Sequence, residues 1–257
     1  MLVDTHVHLN SHKFTENLDE VIKRALQNGV EMMIVVGYDK ETNRKAIKIA
    51  EQYSFIFATV GYHPTEAKNI RDEDFTLLIE QLQHQKVVGV GECGLDFYWD
   101  KEFIDKQISV FQRQIEISLE MKKPLVIHMR DASEATYNVL SEYHDLLGIM
   151  HCYSGSPEMA EMFLKLGLHI SLGGPVTFKN GIKPKEVAAM VPIDKLLIET
   201  DSPYLSPHPF RGKTNEPYMV KLVAEEIARV RGMSYTELAT ETTKNAYKLF
   251  NIKEIIR

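Results

Sequence analysis

The sequence alternates short apolar runs with amphipathic stretches, and this alternation repeats eight times along the chain. Continuous apolar runs such as Met32-Met33-Ile34-Val35-Val36 are typical of strands buried on both faces. Stretches such as residues 103–121 instead place their apolar residues at helical spacing. Eight strand–helix units in 257 residues predict an α/β protein with a (β/α)8 TIM barrel, formed by a single domain over residues 1–257.

The predicted elements follow one another without a linker that would divide the chain. Strands are predicted at residues 3–9, 32–36, 55–60, 87–90, 124–127, 148–150, 168–171 and 196–198. Helices are predicted at about 16–28, 40–52, 72–84, 103–121, 132–143, 158–166, 184–190, 217–231 and 235–249. A doubly wound open sheet is the alternative, but no glycine-rich phosphate-binding motif follows the first strand. The barrel is therefore the better interpretation.

Composition narrows the classes of function. The apolar fraction of 44% and the charged fraction of 26% are ordinary for a soluble globular protein. A net charge of −6 argues against a broadly basic surface that coats nucleic acid, but permits a local phosphate site built around metal ions. The chain shows no signal-peptide pattern and no long apolar span, and its two cysteines do not resemble a disulfide framework. We therefore expect a cytoplasmic protein without membrane association.

Residues that can bind metal ions recur at the predicted carboxyl ends of the strands, where barrels carry their active sites. His6 and His8 end the first strand, and strand alternation places them on one face. The other face then carries Val3, Thr5, Val7 and Leu9. Further candidates end later strands: Glu92 the fourth, His128 the fifth, His151 the sixth and Asp201 the eighth. Six candidate ligands thus fall at five strand ends on one face of the barrel.

Four imidazoles and two carboxylates are enough to hold two divalent cations per subunit, with one carboxylate bridging them. Glu92 is the natural bridge because its longer side chain can reach both ions from the middle of the ring. Asp201 would bind one ion and accept a proton from the attacking water, so that Glu92 and Asp201 are the predicted catalytic residues. Mixed imidazole and carboxylate ligands suit Zn, Mn or Ni, and Mg less comfortably.

Six motifs of the chain closely resemble those of the TatD family of metal-dependent deoxyribonucleases. They are Asp4-Thr5-His6-Val7-His8-Leu9, Gly61-Tyr62-His63-Pro64, Gly91-Glu92-Cys93-Gly94-Leu95-Asp96, His128-Met129-Arg130-Asp131-Ala132, His151-Cys152-Tyr153-Ser154-Gly155 and Glu199-Thr200-Asp201-Ser202-Pro203-Tyr204-Leu205. The resemblance implies a TIM barrel with a first ion on His6, His8, Glu92 and Asp201, and a second on Glu92, His128 and His151. It also implies magnesium-dependent nuclease activity on DNA, including 3′-to-5′ exonuclease activity, or deacylation of D-aminoacyl-tRNA.

Three further residues are predicted to bind substrate. His63 either contacts a phosphate or caps its own loop, and the family resemblance favours the phosphate. Arg130 either clamps a phosphate or forms a salt bridge with Asp131. Arg211 is expected to contact phosphate together with Lys213 and Asn215.

Other residues near the predicted site keep two interpretations. Glu199 lies two residues before Asp201, so in a strand it points to the same face, one layer deeper in the barrel. There it either orients a histidine ligand or is a paired core carboxylate. Asp96 either positions substrate or holds its loop, and Tyr98 and Trp99 either stack on a base or pack that loop. The two cysteines directly follow ligands, so strand alternation predicts that they turn out of the cavity.

The leading functional hypothesis is a two-metal phosphodiesterase that cleaves DNA or another nucleic acid. The alternative is an ester or amide hydrolase, such as a D-aminoacyl-tRNA deacylase, because the same centre can stabilise an oxyanion at carbon. Many amidohydrolase barrels carry a carboxylated lysine where this chain has Glu92, which favours the nuclease. A catalytically inactive barrel is a third hypothesis, disfavoured because a base such as Asp201 is not needed for binding alone. A monomer is expected.

Overall fold

A computed structural model describes residues 1–253 and contains one sheet of eight parallel strands, in chain order around the sheet. The strands are β1 (Leu2–Val7), β2 (Val30–Val36), β3 (Ile56–Val60), β4 (Val87–Asp96), β5 (Leu125–Arg130), β6 (Gly148–Met150), β7 (His169–Leu172) and β8 (Leu196–Ile198). The segment after β8 returns to β1, where Asp201 N donates to His6 O at 2.9 Å and His8 N to Ser202 O at 2.8 Å. These bonds close the ring, and the predicted (β/α)8 barrel is confirmed.

Helices surround the strands as the periodicity predicts. They are α1 (Leu18–Gln27), α2 (Lys40–Gln52), α3 (Asp72–Leu82), α4 (Ile104–Met121), α5 (Ser133–Ser141), α6 (Pro157–Lys165), α7 (Ile182–Met190), α8 (Val220–Arg231) and α9 (Tyr235–Leu249). The start of α8 differs from the prediction because a 3-10 turn occupies Pro217–Met219. Within the described residues, no helix is both long and apolar enough to cross a membrane. A single domain over 1–257 stays a prediction, since residues 254–257 lie outside the described part.

Two apolar clusters form the core. The larger one packs the helices against the outside of the strands. The smaller one joins apolar residues of six strands to the end of α9, and its members are Val3, Met32, Ile34, Val88, Val126, Ile149, Leu197, Ala246, Tyr247, Leu249 and Phe250. Side chains from strands all around a barrel can meet only inside it. On every strand of this cluster except β2, which carries no candidate ligand, the cluster residues precede the candidate ligands, so the cluster forms the floor beneath those ligands.

The first strand does not alternate regularly. Its register with β2 shifts between Asp4 and Val7, which is the signature of a bulge. Val3 packs inside the barrel, whereas Val7 and Leu9 pack in the larger cluster against the helices. The prediction that these apolar residues share one face is therefore wrong for Val3, because the bulge changes the face in between. The strand also ends at Val7, before His8.

The fourth and fifth strands run farther than predicted. They continue to pair with each other past their predicted ends at residues 90 and 127, with Gly94 opposite His128 and Asp96 opposite Arg130. Glu92 and His128 therefore lie within strands and do not end them. The register of β4 shifts around Glu92, and Glu92 N donates to Gly37 O at 2.8 Å, so the backbone bends toward the barrel axis there.

Candidate metal centre

One oxygen of Glu92 faces a group formed by β1 and the segment after β8. Its Oε2 lies 3.6 Å from His6 Nε2 and 3.7 Å from His8 Nε2. Asp201 Oδ1 lies 3.7 Å and 3.4 Å from the same two nitrogens, which are 3.2 Å apart. The other nitrogen of His8 contacts Val36 O at 3.1 Å, which fixes the ring. We name these four donor atoms the first donor group.

The other oxygen of Glu92 faces a second donor group. Its Oε1 lies 3.0 Å from His128 Nδ1, 3.0 Å from His151 Nε2 and 3.5 Å from His63 Nε2. Each carboxylate oxygen of Glu92 thus faces a different set of imidazoles, and its role as a bridge between two cations stays a prediction. His63 was predicted either to contact a phosphate or to cap its own loop. The cap is observed, since His63 Nδ1 accepts from Thr65 N at 3.2 Å, and its Nε2 lies beside the second donor group.

Neighbouring carboxylates orient the rings of the second donor group. Asp96 Oδ2 lies 3.0 Å from His128 Nε2, and Glu199 Oε1 lies 3.2 Å from His151 Nδ1. A carboxylate on one ring nitrogen favours a hydrogen there and leaves the lone pair on the other nitrogen, which faces Glu92. The orienting position predicted for Glu199 agrees with this contact. Asp96 orients the ring of His128 in the same way.

The charges within the centre shift its pKa values in opposite directions. Burial raises the pKa of Glu92, but the charge of His151 and the bonds from His128 and His151 outweigh it and hold the pKa well below its ordinary value. Burial lowers the pKa of His151, yet the carboxylates of Glu92 and Glu199 raise it well above its ordinary value. Burial, together with the charge of His128, lowers the pKa of His63 to about 3. His63 is therefore neutral at physiological pH.

The donor set fits divalent cations. Four ligands arranged tetrahedrally at about 2.0–2.2 Å from a metal lie roughly 3.3–3.6 Å from one another. Five of the six separations in the first donor group run from 3.2 to 3.7 Å, and the donor atoms of His6, His8 and Glu92 lie within 4.8 Å of one another. His6 Nε2 and His8 Nε2 face each other at 3.2 Å, a distance at which one ring can donate to the other or both lone pairs can share one cation. Buried His6 Nδ1 makes no hydrogen bond in the described part of the chain.

A close approach of two glycines holds the third and fourth strands at this spacing. A Cβ atom at Gly61 would lie 2.6 Å from Gly91 Cα, closer than real Cβ contacts allow. Gly61 leads into the loop of His63, and Gly91 directly precedes Glu92. The absence of side chains at both glycines thus lets the His63 loop and Glu92 meet in the second donor group.

Sequence and structure comparisons assign the chain to a family. The family model described as TatD related DNase matches residues 3–251. The chain belongs to this family. A relative from Bacillus subtilis, named uncharacterized metal-dependent hydrolase YabD, is 48% identical over 254 residues, covering 98% of this chain and 100% of the relative. The 3′-5′ ssDNA/RNA exonuclease TatD of Salmonella typhimurium is 33% identical over 258 residues, covering 98% and 99%. The crystal structure of the TatD homolog YJJV from Escherichia coli superposes with a TM-score of 0.91 at 31% identity, covering 98% of both chains.

In this TatD-family chain, the segment that carries Asp201 is held by buried polar contacts. Asp201 itself takes a left-handed φ of 56°, a conformation that aspartate tolerates better than most residues. Asp4 accepts a hydrogen bond from Thr200 N at 2.9 Å. The side chain of Asn215 donates to the carbonyls of Thr200 at 2.8 Å and Tyr204 at 2.6 Å. The predicted phosphate contact of Asn215 is therefore wrong, because its fully buried side chain braces this segment.

The two predicted substrate arginines lie outside the two donor groups. Arg130 is exposed at the end of β5, and its guanidinium carbon lies 4.1 Å from the centroid of the Tyr98 ring. Within residues 1–253 it forms no ion pair, so the alternative salt bridge to Asp131 is not observed. Arg211 is also exposed, and its guanidinium carbon lies 4.1 Å from the ring centroid of Phe178. The structure therefore brings together the six predicted ligands and His63, but neither arginine.

Two expectations from the sequence need revision. Asp96 was expected in the loop after Glu92, where it would position substrate or hold that loop, but it is the last residue of β4. Its Oδ1 holds the loop through Tyr98 N and Trp99 N, and its Oδ2 contacts His128. Cys152 lies in a turn with φ of 42°, where strand alternation does not apply. Cys152 is partly buried, and desolvation of its thiol, followed by the charge of Asp201, raises its pKa well above the ordinary value. Cys93 is buried as predicted.

Proposed function

We propose that this chain is a metal-dependent hydrolase that cleaves the phosphodiester bonds of single-stranded nucleic acid from the 3′ end. The observation that carries the proposal is Glu92, whose two carboxylate oxygens each face a separate donor group. The name of the Bacillus relative supports metal-dependent hydrolysis, and the name of the Salmonella relative supports a single-stranded substrate and 3′-to-5′ polarity.

The residues that would hold two divalent cations follow from the two groups. His6, His8, Glu92 and Asp201 would hold the first, and Glu92, His128 and His151 the second. Imidazole with carboxylate suits Zn, Mn or Ni, and Mg is the remaining candidate. Cations at these positions would neutralise phosphate charge and lower the pKa of water.

Asp201 is the residue we assign as the general base. Burial raises its pKa, but the hydrogen bond from His8 and the charges of His6 and His8 outweigh burial and hold the pKa below its ordinary value. The carboxylate is therefore ionised at neutral pH and can accept the proton of a water that attacks phosphorus. It lies at the edge of the first donor group, where both histidines hold its position.

His63 would donate to a phosphate oxygen. Its Nδ1 accepts a hydrogen bond from Thr65 N at 3.2 Å, so the hydrogen of the neutral ring belongs on Nε2. That nitrogen points to the centre, 3.5 Å from Glu92 Oε1. The loop cap thus fixes the tautomer of His63. Because a nitrogen that carries hydrogen has no lone pair to bind a cation, we assign His63 to the substrate. Arg130 and Arg211 would supply further donors to phosphates at the rim.

The proposal is tested with a single-stranded DNA carrying a 5′ label, incubated with purified protein and Mg²⁺, Mn²⁺, Ni²⁺ or Zn²⁺ at fixed ionic strength. We expect a ladder that shortens from the 3′ end, and Asp201→Ala should lower its rate by about 100-fold or more. Glu134→Ala removes an exposed carboxylate after β5 and serves as the matched control.

A parallel assay on D-aminoacyl-tRNA decides the substrate class. Release of the D-amino acid without any cleavage of DNA or RNA would refute the nuclease and establish the carboxylic-ester alternative. Internal fragments that appear before the 3′ ladder would refute the polarity. Undiminished activity of folded Asp201→Ala protein would refute the role of Asp201 as the base.

A further inference from the structure

The loop between β4 and α4 presents two exposed aromatic rings beside an arginine. Tyr98 is 51% exposed and Trp99 is 68% exposed. The guanidinium carbon of Arg130 lies 4.1 Å from the ring centroid of Tyr98 and 5.5 Å from that of Trp99. We name these three residues the aromatic platform. Burying these rings would stabilise the fold, yet they remain exposed to water. Exposed apolar groups that lie side by side are typical of a surface that binds a ligand.

The backbone under the platform is held firmly. Asp96 Oδ1 accepts hydrogen bonds from Tyr98 N at 2.9 Å and Trp99 N at 2.8 Å. Buried Gln107 accepts from Asp96 N at 2.9 Å, and its side-chain nitrogen donates to Asp96 O and Asp100 O, each at 3.0 Å. The loop backbone is therefore fixed, although the two rings that it carries are exposed. A loop whose backbone is already fixed loses little conformational entropy when a ligand binds to it.

The platform adjoins the candidate metal centre. The second oxygen of Asp96 lies 3.0 Å from His128 Nε2, and His128 Nδ1 lies 3.0 Å from Glu92 Oε1. The pairing of Asp96 with Arg130 brings the end of β5 to the same place. A phosphodiester at Glu92 would therefore have its neighbouring nucleoside within reach of the rings.

We propose that the aromatic platform stacks a nucleobase of the nucleotide next to the cleaved phosphodiester, an inference that rests on the proposed function. Aromatic rings accept the flat face of every base, and a guanidinium stacks on bases and attracts the phosphate backbone. Bases in a duplex are already stacked on each other, so the platform selects unpaired strands. Such a contact recognises single-stranded substrate without reading its sequence.

Fluorescence gives a direct test, because Trp99 is the only tryptophan of the chain. Wild-type protein with Mn²⁺ is titrated with a short phosphorothioate oligothymidine, which resists hydrolysis, and with an abasic phosphorothioate of equal length and charge. We expect the thymidine oligomer to quench Trp99 fluorescence and bind more tightly than the abasic one. Equal quenching by both oligomers, or by neither, would overturn the proposal.

Substitutions give a second test through kinetics. Trp99→Ala and Tyr98→Ala should each raise KM for single-stranded DNA roughly 5- to 150-fold, the range expected for loss of one base–aromatic stack, while Trp99→Phe should stay near wild type. Leu147→Ala, which removes a 41% exposed apolar side chain just before β6, should change nothing. The exposure of Trp99 means that its truncation leaves no core cavity, and thermal melting checks this.

The outcomes separate the platform from the proposed nuclease activity. Quenching by thymidine oligomers in a protein that cleaves no nucleic acid would refute the nuclease and keep the platform as a base-binding site. Cleavage with an unchanged KM in Trp99→Ala and Tyr98→Ala would refute the platform and keep the nuclease.

Discussion

Asp96→Asn separates two tasks that one buried carboxylate performs. Its Oδ1 accepts from the backbone N–H groups of Tyr98 and Trp99, and its Oδ2 faces His128 Nε2 at 3.0 Å. Asparagine has one oxygen and one NH₂ group, so it can satisfy only one of the two sides. With its oxygen toward the loop, its NH₂ group favours a lone pair on His128 Nε2 and moves the ring hydrogen to Nδ1. Nδ1 is the nitrogen 3.0 Å from Glu92, so a cation ligand is lost.

The size of the effect follows from the bonds involved. Asp96 is fully buried, so solvent does not replace the lost contact. A hydrogen bond to a charged group contributes about 1.5–3 kcal/mol, which is about 10- to 150-fold in an equilibrium constant. Loss of a carboxylate partner of a metal-binding histidine typically costs about 10- to 100-fold in metal affinity or activity. We therefore expect cation affinity to fall by about 10- to 100-fold in Asp96→Asn.

Calorimetric titration of metal-free protein with Mn²⁺ or Zn²⁺ measures this affinity. Asp100→Asn is the matched control, because Asp100 Oδ1 also accepts from two backbone N–H groups of the same loop, those of Glu102 at 3.0 Å and Phe103 at 3.3 Å. The control should bind cations like wild type. Wild-type affinity and activity in Asp96→Asn as well would refute the inference that Asp96 sets the tautomer of His128.

Three further predictions concern the scaffold. Burial lowers the pKa of His169 to about 4, below its ordinary 6.5, so the unfolded chain binds its proton first as pH falls. The free energy of unfolding should lose up to about 3 kcal/mol between pH 6.5 and 4, and His169→Gln should show a smaller loss in urea titrations across that range. Gly61→Ala should cost about 1–3 kcal/mol in the same titrations and lower activity, because the new Cβ would meet Gly91; an unchanged midpoint would contradict the close approach. Asn215→Ala should cost about 2 kcal/mol and reduce kcat, since the buried carbonyl of Thr200 and the partly buried carbonyl of Tyr204 lose their donor. A normal melting temperature and kcat would contradict this bracing.

The barrel could be predicted because its elements have local signatures. A strand covered on both faces must be apolar throughout, and a helix on the outside must be apolar on one side. The ends of β4 and β5 could not be predicted, because Gly91 and Gly94 interrupt the apolar run while the β4 backbone keeps pairing with β5. That extension carries the contact of Asp96 with His128. The monomeric state and the cytoplasmic location stay predictions.

The candidate ligands could be placed at one end of the barrel, but their side-chain directions could not, because the centre depends on departures from regular strands. The register shifts beside His6 and Glu92, and Asp201 has a left-handed backbone. Regular alternation sends successive side chains to opposite faces, so a bend or the end of a strand changes which side chains turn toward the centre. The centre thus forms next to the positions where regular periodicity breaks down. In a TatD-family chain, a histidine or carboxylate beside such an irregularity is a stronger candidate ligand than one inside a regular strand.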